Sequence, residues 1–158
     1  FAVVAAAADA AELVAVRAGM WRFLEDVSPM RRGDPTTWGS AGFPGDPKHG
    51  MLLALGVGQS EFAWRARTLP GVLAAFEGVW GLPSGAPLLA SFDGAALFRP
   101  PQFEAEWGTE GALAWLHVDQ GKDKVGYAAV QGALLLYEQD AASGGLVVLP
   151  RSHLRHAE

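Results

Sequence analysis

An α+β fold is predicted by three features of the sequence: helix-periodic apolar residues confined to residues 5–80, alternating apolar runs from residue 88 onward, and no helical pattern interleaved among those runs. Helices and strands segregated in this way favour an antiparallel sheet over alternating βαβ units. With 158 residues, half of them hydrophobic, the chain is long enough for a single domain with its own core, helical over 5–80 and β-rich over 88–158.

From Ala5 to Leu24 the residues are strong helix formers, and Leu13, Val16, Met20, Phe23 and Leu24 recur at spacings of three and four along one face. Ser28-Pro29 ends that helix. Residues 31–50 are rich in Gly, Pro, Asp and Thr, which favour turns, and predict a long loop carrying Trp38 and His49 that is either a lid over a pocket or a solvated excursion. Met51 to Val57 is apolar and compatible with a short helix or a strand. Gln59 to Arg67 reads as a helix with Phe62 and Trp64 buried. Leu69-Pro70 opens another helix through Trp80, because proline is tolerated where a first-turn N–H would be unpaired anyway. Its apolar face is Val72, Leu73, Phe76, Val79 and Trp80, and Gly81 stops it.

Strands are expected at Leu88–Asp93, Ala95–Arg99, Leu113–Val118, Gly126–Glu138 and Gly145–Leu149. On the longest of these, Ala128, Val130, Gly132, Leu134 and Leu136 form a core-like face, opposite Tyr127, Ala129, Gln131, Ala133, Leu135 and Tyr137. Gln131 between two alanines is either a polar group on a cavity wall or an ordinary exposed glutamine. Arg99, just before Pro100-Pro101, either approaches an anionic group or, the better reading, is an exposed arginine.

Composition narrows the function. Seventeen acidic and twelve basic residues give a net charge of −5, with no basic cluster beyond Arg31-Arg32, so nucleic acid is not an expected partner. Without cysteine neither a disulfide framework nor a thiolate metal site is possible. No uncharged apolar run approaches the roughly 20 residues of a spanning helix, so no membrane insertion is expected and a soluble, intracellular protein is the expectation. The opening Phe1–Ala8 lacks the basic flank of a signal peptide. A start at Phe1 suggests a fragment or a processed product. Oligomeric state has no signature in these patterns.

The stretch that carries chemistry is Trp115-Leu116-His117-Val118-Asp119-Gln120. On a strand, His117 and Asp119 project to one side while Leu116 and Val118 pack on the other. An imidazole nitrogen and a carboxylate oxygen then converge, and with a second histidine from elsewhere they would form the two-histidine-one-carboxylate face that holds Fe(II) and leaves positions open. A histidine and aspartate closing a strand end would look the same. After one long strand comes Gly144-Gly145-Leu146-Val147-Val148-Leu149-Pro150-Arg151-Ser152-His153.

These two motifs in this order resemble the phytanoyl-CoA dioxygenase family, and Gln59–Trp64, Trp80-Gly81, Ser91-Phe92-Asp93-Gly94 and Arg99-Pro100-Pro101 extend the similarity over most of residues 50–156. The resemblance implies that the β-rich part is the first portion of a double-stranded β-helix of jelly-roll, cupin-like form. It implies an Fe(II)- and 2-oxoglutarate-dependent dioxygenase hydroxylating a small-molecule substrate, with His117 and Asp119 as iron ligands and Gln131 as a candidate cofactor contact. A carboxylate at 119 favours hydroxylation over halogenation, since related halogenating enzymes have a small residue there.

Two departures follow from the same resemblance. The family has glycine before Ser-His, where this chain has Arg151, so a turn needing positive φ is less comfortable. The distal iron-binding histidine and the arginine that pairs with 2-oxoglutarate come later in the family, beyond Glu158, so a truncated domain, inactive and aggregation-prone by itself, is expected. His153 and His156 fall in a loop and are weak substitutes. A second reading is a non-catalytic β-domain without a full iron site, in which Trp115, Tyr127 and Gln131 line a ligand pocket or a packed core. A third, a hydrolase using Ser91, Ser143 or Ser152, lacks a nucleophile-elbow pattern.

Overall fold

A computed structural model of the chain describes residues 1–107, 116–121, 123–124, 126–140 and 143–155. Its helical part follows the apolar periodicity closely. Helix α1 spans Ala10–Val27 and buries Val16, Met20 and Leu24. Its start is fixed by a reciprocal capping box: the Asp9 carboxylate accepts the Glu12 N–H at 2.8 Å and the Glu12 carboxylate accepts the Asp9 N–H at 2.8 Å. Two of the first-turn donors that a helix leaves unpaired are thereby satisfied, and the alanines before Asp9 stay outside the helix despite their propensity. At the other end the Ser28 hydroxyl donates to the Leu24 carbonyl at 2.6 Å.

Helix α2 (Glu61–Arg67) is capped by Ser60, whose hydroxyl accepts the Ala63 N–H at 3.4 Å. Phe62 is buried against the core. Trp64 is not: it is 40% exposed and its indole N–H donates to the Gln59 side-chain carbonyl at 2.9 Å. Helix α3 (Pro70–Trp80) begins at the expected proline and ends at Gly81. Gly81 has φ +63°, a left-handed conformation that glycine adopts without a Cβ penalty. The apolar face expected on α3 is covered only in part, with Val79 49% exposed. The buried residue of this helix is Glu77, whose carboxylate accepts the Gly85 N–H at 2.7 Å.

Of the undecided stretch 51–57, Met51–Leu52 forms strand β1, pairing antiparallel with β2 (Ala95–Ala96) in the register Met51↔Ala96 and Leu52↔Ala95. A 3-10 turn at Val57–Gln59 follows. The core unites α1, α2, β1 and the turn: Val16, Met20, Leu24, Leu52, Val57, Phe62 and Leu69. No described helix is long and apolar enough to cross a membrane.

The loop over 31–50 is neither a loose lid nor a solvated excursion. It contains two 3-10 turns, Pro35–Trp38 and Ser40–Gly42, and wraps around Arg99. Arg99 is the main correction to the sequence reading, because it is 6% exposed rather than solvated. Its guanidinium donates to the Trp38 carbonyl at 2.8 Å and the Pro47 carbonyl at 2.6 Å. The same group lies 4.7 Å from the ring centres of Phe43 and Trp107. A buried cation is tolerated when its donors are satisfied and aromatic faces flank it. Burial draws the Arg99 pKa down, opposed by the nearby Glu106 and Glu104 carboxylates.

In the same loop the His49 ring nitrogen lies 2.5 Å from the Asp46 carboxylate, and this contact, with the Lys48 and His49 N–H groups, lowers the Asp46 pKa. The sign follows from linkage. A carboxyl whose folded pKa is depressed adds stability that is present above its ordinary value of 3.8 and is lost as pH falls through the lowered value. Asp46→Asn is expected to reduce the acid-side slope of stability below about pH 4, measured by denaturant titration at several pH values. An unchanged slope would contradict the pairing.

From residue 116 on, the expected strands carry no ladder pairing among the described residues. A strand needs a neighbour to receive its N–H and C=O groups, and the contacts of 126–138 are instead with helices. The expected facing survives only toward the end of the segment, since Ala128 and Gly132 of the core-like face are exposed. Leu134 and Leu136 pack on the core, while Tyr127, Leu135 and Tyr137 are exposed. Arg17 donates to the Leu136 carbonyl, and the Trp21 indole N–H donates to the Tyr137 hydroxyl at 3.0 Å. Leu146, Val147 and Leu149, expected in a buried strand, are more than half exposed because no described layer covers them. The expected strand at 88–93 likewise has no ladder, and that at 95–99 is reduced to its first two residues. Residues 113–115 of the strand expected at 113–118, including Trp115, lie outside the described residues, as does His156.

The turn after Pro150 has the strain that the sequence suggests. Arg151 has φ +68°, and the Ser152 N–H donates to the Leu149 carbonyl at 3.2 Å. A side chain in the left-handed region costs roughly 1–2 kcal/mol, so Arg151→Gly is expected to stabilise the protein by about 1 kcal/mol after the added freedom of the unfolded chain is counted. Thermal unfolding would check this, and destabilisation would contradict it.

Candidate metal centre

His117 and Asp119 meet as their spacing suggests: the His117 Nε2 lies 3.1 Å from the Asp119 Oδ1. Both side chains are about half exposed. The Gln131 amide donates from Nε2 to the Asp119 Oδ2 at 2.5 Å. The two carboxylate oxygens are thus differentiated, one facing the imidazole and the other held by an amide. All three residues singled out in the sequence are brought together.

The segment bearing Gln131 is set by the helical layer beneath it. An added Cβ at Gly132 would fall 2.8 Å from the Phe76 ring on α3, so only glycine allows this close approach without displacement. Trp80 and Tyr127 meet edge to face with ring centres 5.9 Å apart. With Leu134 and Leu136 on the core, these contacts fix the segment on both sides of Gln131.

The donor set suits a metal ion in part. Two neighbouring ligands at about 2.1 Å from an octahedral ion lie roughly 3 Å apart, which the 3.1 Å separation of Nε2 and Oδ1 matches. An imidazole N–H bonded to a carboxylate has the same separation. Among the described residues no group of three histidine, aspartate or glutamate side chains is positioned around one ion, so these residues furnish two ligands of such a site. His153 is exposed in the 3-10 turn Ser152–Arg155. The serines considered as nucleophiles have local roles: Ser91 donates to Asp93 at 3.2 Å, the Ser143 N–H donates to the Asp140 carboxylate at 2.8 Å, and the Ser152 N–H closes the turn to Leu149. The sequence missed the Gln131–Asp119 contact as such, although the facing of the 126–138 segment already put Gln131 on the side away from the core.

A curated relative, "Ava biosynthesis cluster protein O" of Aspergillus versicolor, is 32% identical to this chain over 114 residues, covering 72% of this chain and 34% of that protein. The chain thus spans about a third of the length of this relative. No protein-family model matches the chain, and no solved structure matches it.

Proposed function

We propose that this chain contributes the proximal histidine and the carboxylate of an Fe(II)- and 2-oxoglutarate-dependent dioxygenase that hydroxylates a small molecule. The observation that carries the reading is the 3.1 Å approach of His117 Nε2 to Asp119 Oδ1 on residues two positions apart. His117 and Asp119 would hold the ion, and a second histidine from outside the described residues would complete the face. When bound, Fe(II) would let dioxygen act as the oxidant with 2-oxoglutarate as co-substrate, one oxygen atom going to the substrate C–H bond and the other to succinate, with loss of CO2. The chain's own contribution is to orient. His117 would present an imidazole nitrogen and Asp119 one carboxylate oxygen, from side chains that are each about half exposed. The fold in this reading is a double-stranded β-helix, of which residues 88–158 supply the first part. The relative's name, which speaks of a biosynthesis cluster, accords with small-molecule chemistry.

The test is succinate release by the complete protein supplied with Fe(II), ascorbate and 2-oxoglutarate. Succinate formed with iron and absent with a chelator is the expected result. No iron-dependent succinate and no iron binding would leave a non-catalytic binding domain as the better account.

A further inference from the structure

We propose that Gln131 is a positioning residue for the Asp119 carboxylate, holding Oδ2 so that Oδ1 alone is presented to the metal; this rests on the reading of His117 and Asp119 as ligands. Three observations converge. The Gln131 Nε2 donates to Oδ2 at 2.5 Å while Oδ1 faces His117 Nε2 at 3.1 Å, so each oxygen has one task. Gln131 is not held by its own burial, since it is exposed. Its backbone is held by its neighbours, through Gly132 against Phe76 and through Leu134 and Leu136 on the core. The amide therefore reaches Asp119 from an anchored segment, whereas Asp119 lies in an exposed one.

A carboxylate whose second oxygen is engaged by a donor binds a metal through one oxygen and loses less rotational freedom on doing so. Without the donor, the carboxylate can rotate or chelate through both oxygens. The amide is then committed to Asp119 rather than to 2-oxoglutarate, which revises the role first suggested for this residue. Loss of an outer-shell partner of this kind weakens metal affinity by about 10- to 100-fold.

The experiment is titration of the complete, metal-stripped protein with Co(II), followed by calorimetry and visible absorption, for the parent, Gln131→Met and Asp119→Ala. Methionine keeps the length of the side chain and removes the N–H donor. The expected result is a loss of Co(II) affinity of about 10-fold or more in Q131M, with a changed ligand-field spectrum and an unchanged melting temperature of the metal-free protein. A merely structural glutamine would shift the melting temperature and leave the spectrum of bound Co(II) alone. Parent-like affinity and spectrum in Q131M, together with lost binding in D119A, would overturn the positioning role while leaving the ligand assignment intact. Parent-like binding in D119A as well would overturn both.

Discussion

Asp119→Ala is expected to lower iron-dependent 2-oxoglutarate turnover by the complete protein by more than about 100-fold, because a ligand contributes more than the outer-shell partners whose loss costs about 10- to 100-fold. Asp119 is the anionic group beside His117, and Gln131 fixes its second oxygen without carrying charge. Removing the carboxylate leaves one imidazole and an amide, a poor site for a hard divalent cation. Succinate quantified over time, with protein concentration matched by absorbance, checks the prediction. Undiminished turnover would remove Asp119 from the ligand set.

The largest effect on stability is expected at Arg99. Arg99→Ala removes charge-assisted hydrogen bonds to the Trp38 and Pro47 carbonyls and the guanidinium between Phe43 and Trp107. Hydrogen bonds to charged groups contribute about 1.5–3 kcal/mol each. A destabilisation of about 3 kcal/mol follows, centred on the loop over 31–50. Lysine at this position keeps the charge but lacks the planar fork that serves two carbonyls between two rings, so R99K is expected to recover less than half of the loss. Urea unfolding of the three proteins measures this. A melting profile for R99A within experimental error of the parent would mean that the loop is held by other contacts.

The helical half of the fold was legible because its signals are local. The apolar spacing of Val16, Met20 and Leu24 and the Pro70 and Gly81 boundaries each act within one or two turns of helix. The box formed by Asp9 and Glu12 is equally local and explains why α1 starts five residues after the alanine-rich stretch begins. Arg99 was misread because its partners lie far away in sequence, on a loop whose own composition suggests only turns. Local context before two prolines says nothing about Trp38, Phe43, Pro47 or Trp107 closing around it. The facing of residues 134–137 was legible from period two, since Leu134 and Leu136 pack on the core while Leu135 and Tyr137 are exposed. Strand pairing was not, because a ladder is a property of two segments and periodicity describes only one.

For the candidate site, the H-x-D spacing put the two donors together, and alternation put Gln131 on the outward face. What spacing could not supply is that Gln131 ends on Asp119, because that depends on Gly132 allowing the segment to settle against Phe76.

The most direct test of the central claim is anaerobic addition of 2-oxoglutarate to the Fe(II)-loaded complete protein, recorded as a visible absorption spectrum. Iron held by His117 and Asp119 predicts a charge-transfer band on chelation of the 2-oxo acid, present in the parent and lost in both His117→Ala and Asp119→Ala. A band that persists in both variants would contradict the assignment, and so would no band in a parent protein shown to bind neither iron nor 2-oxoglutarate.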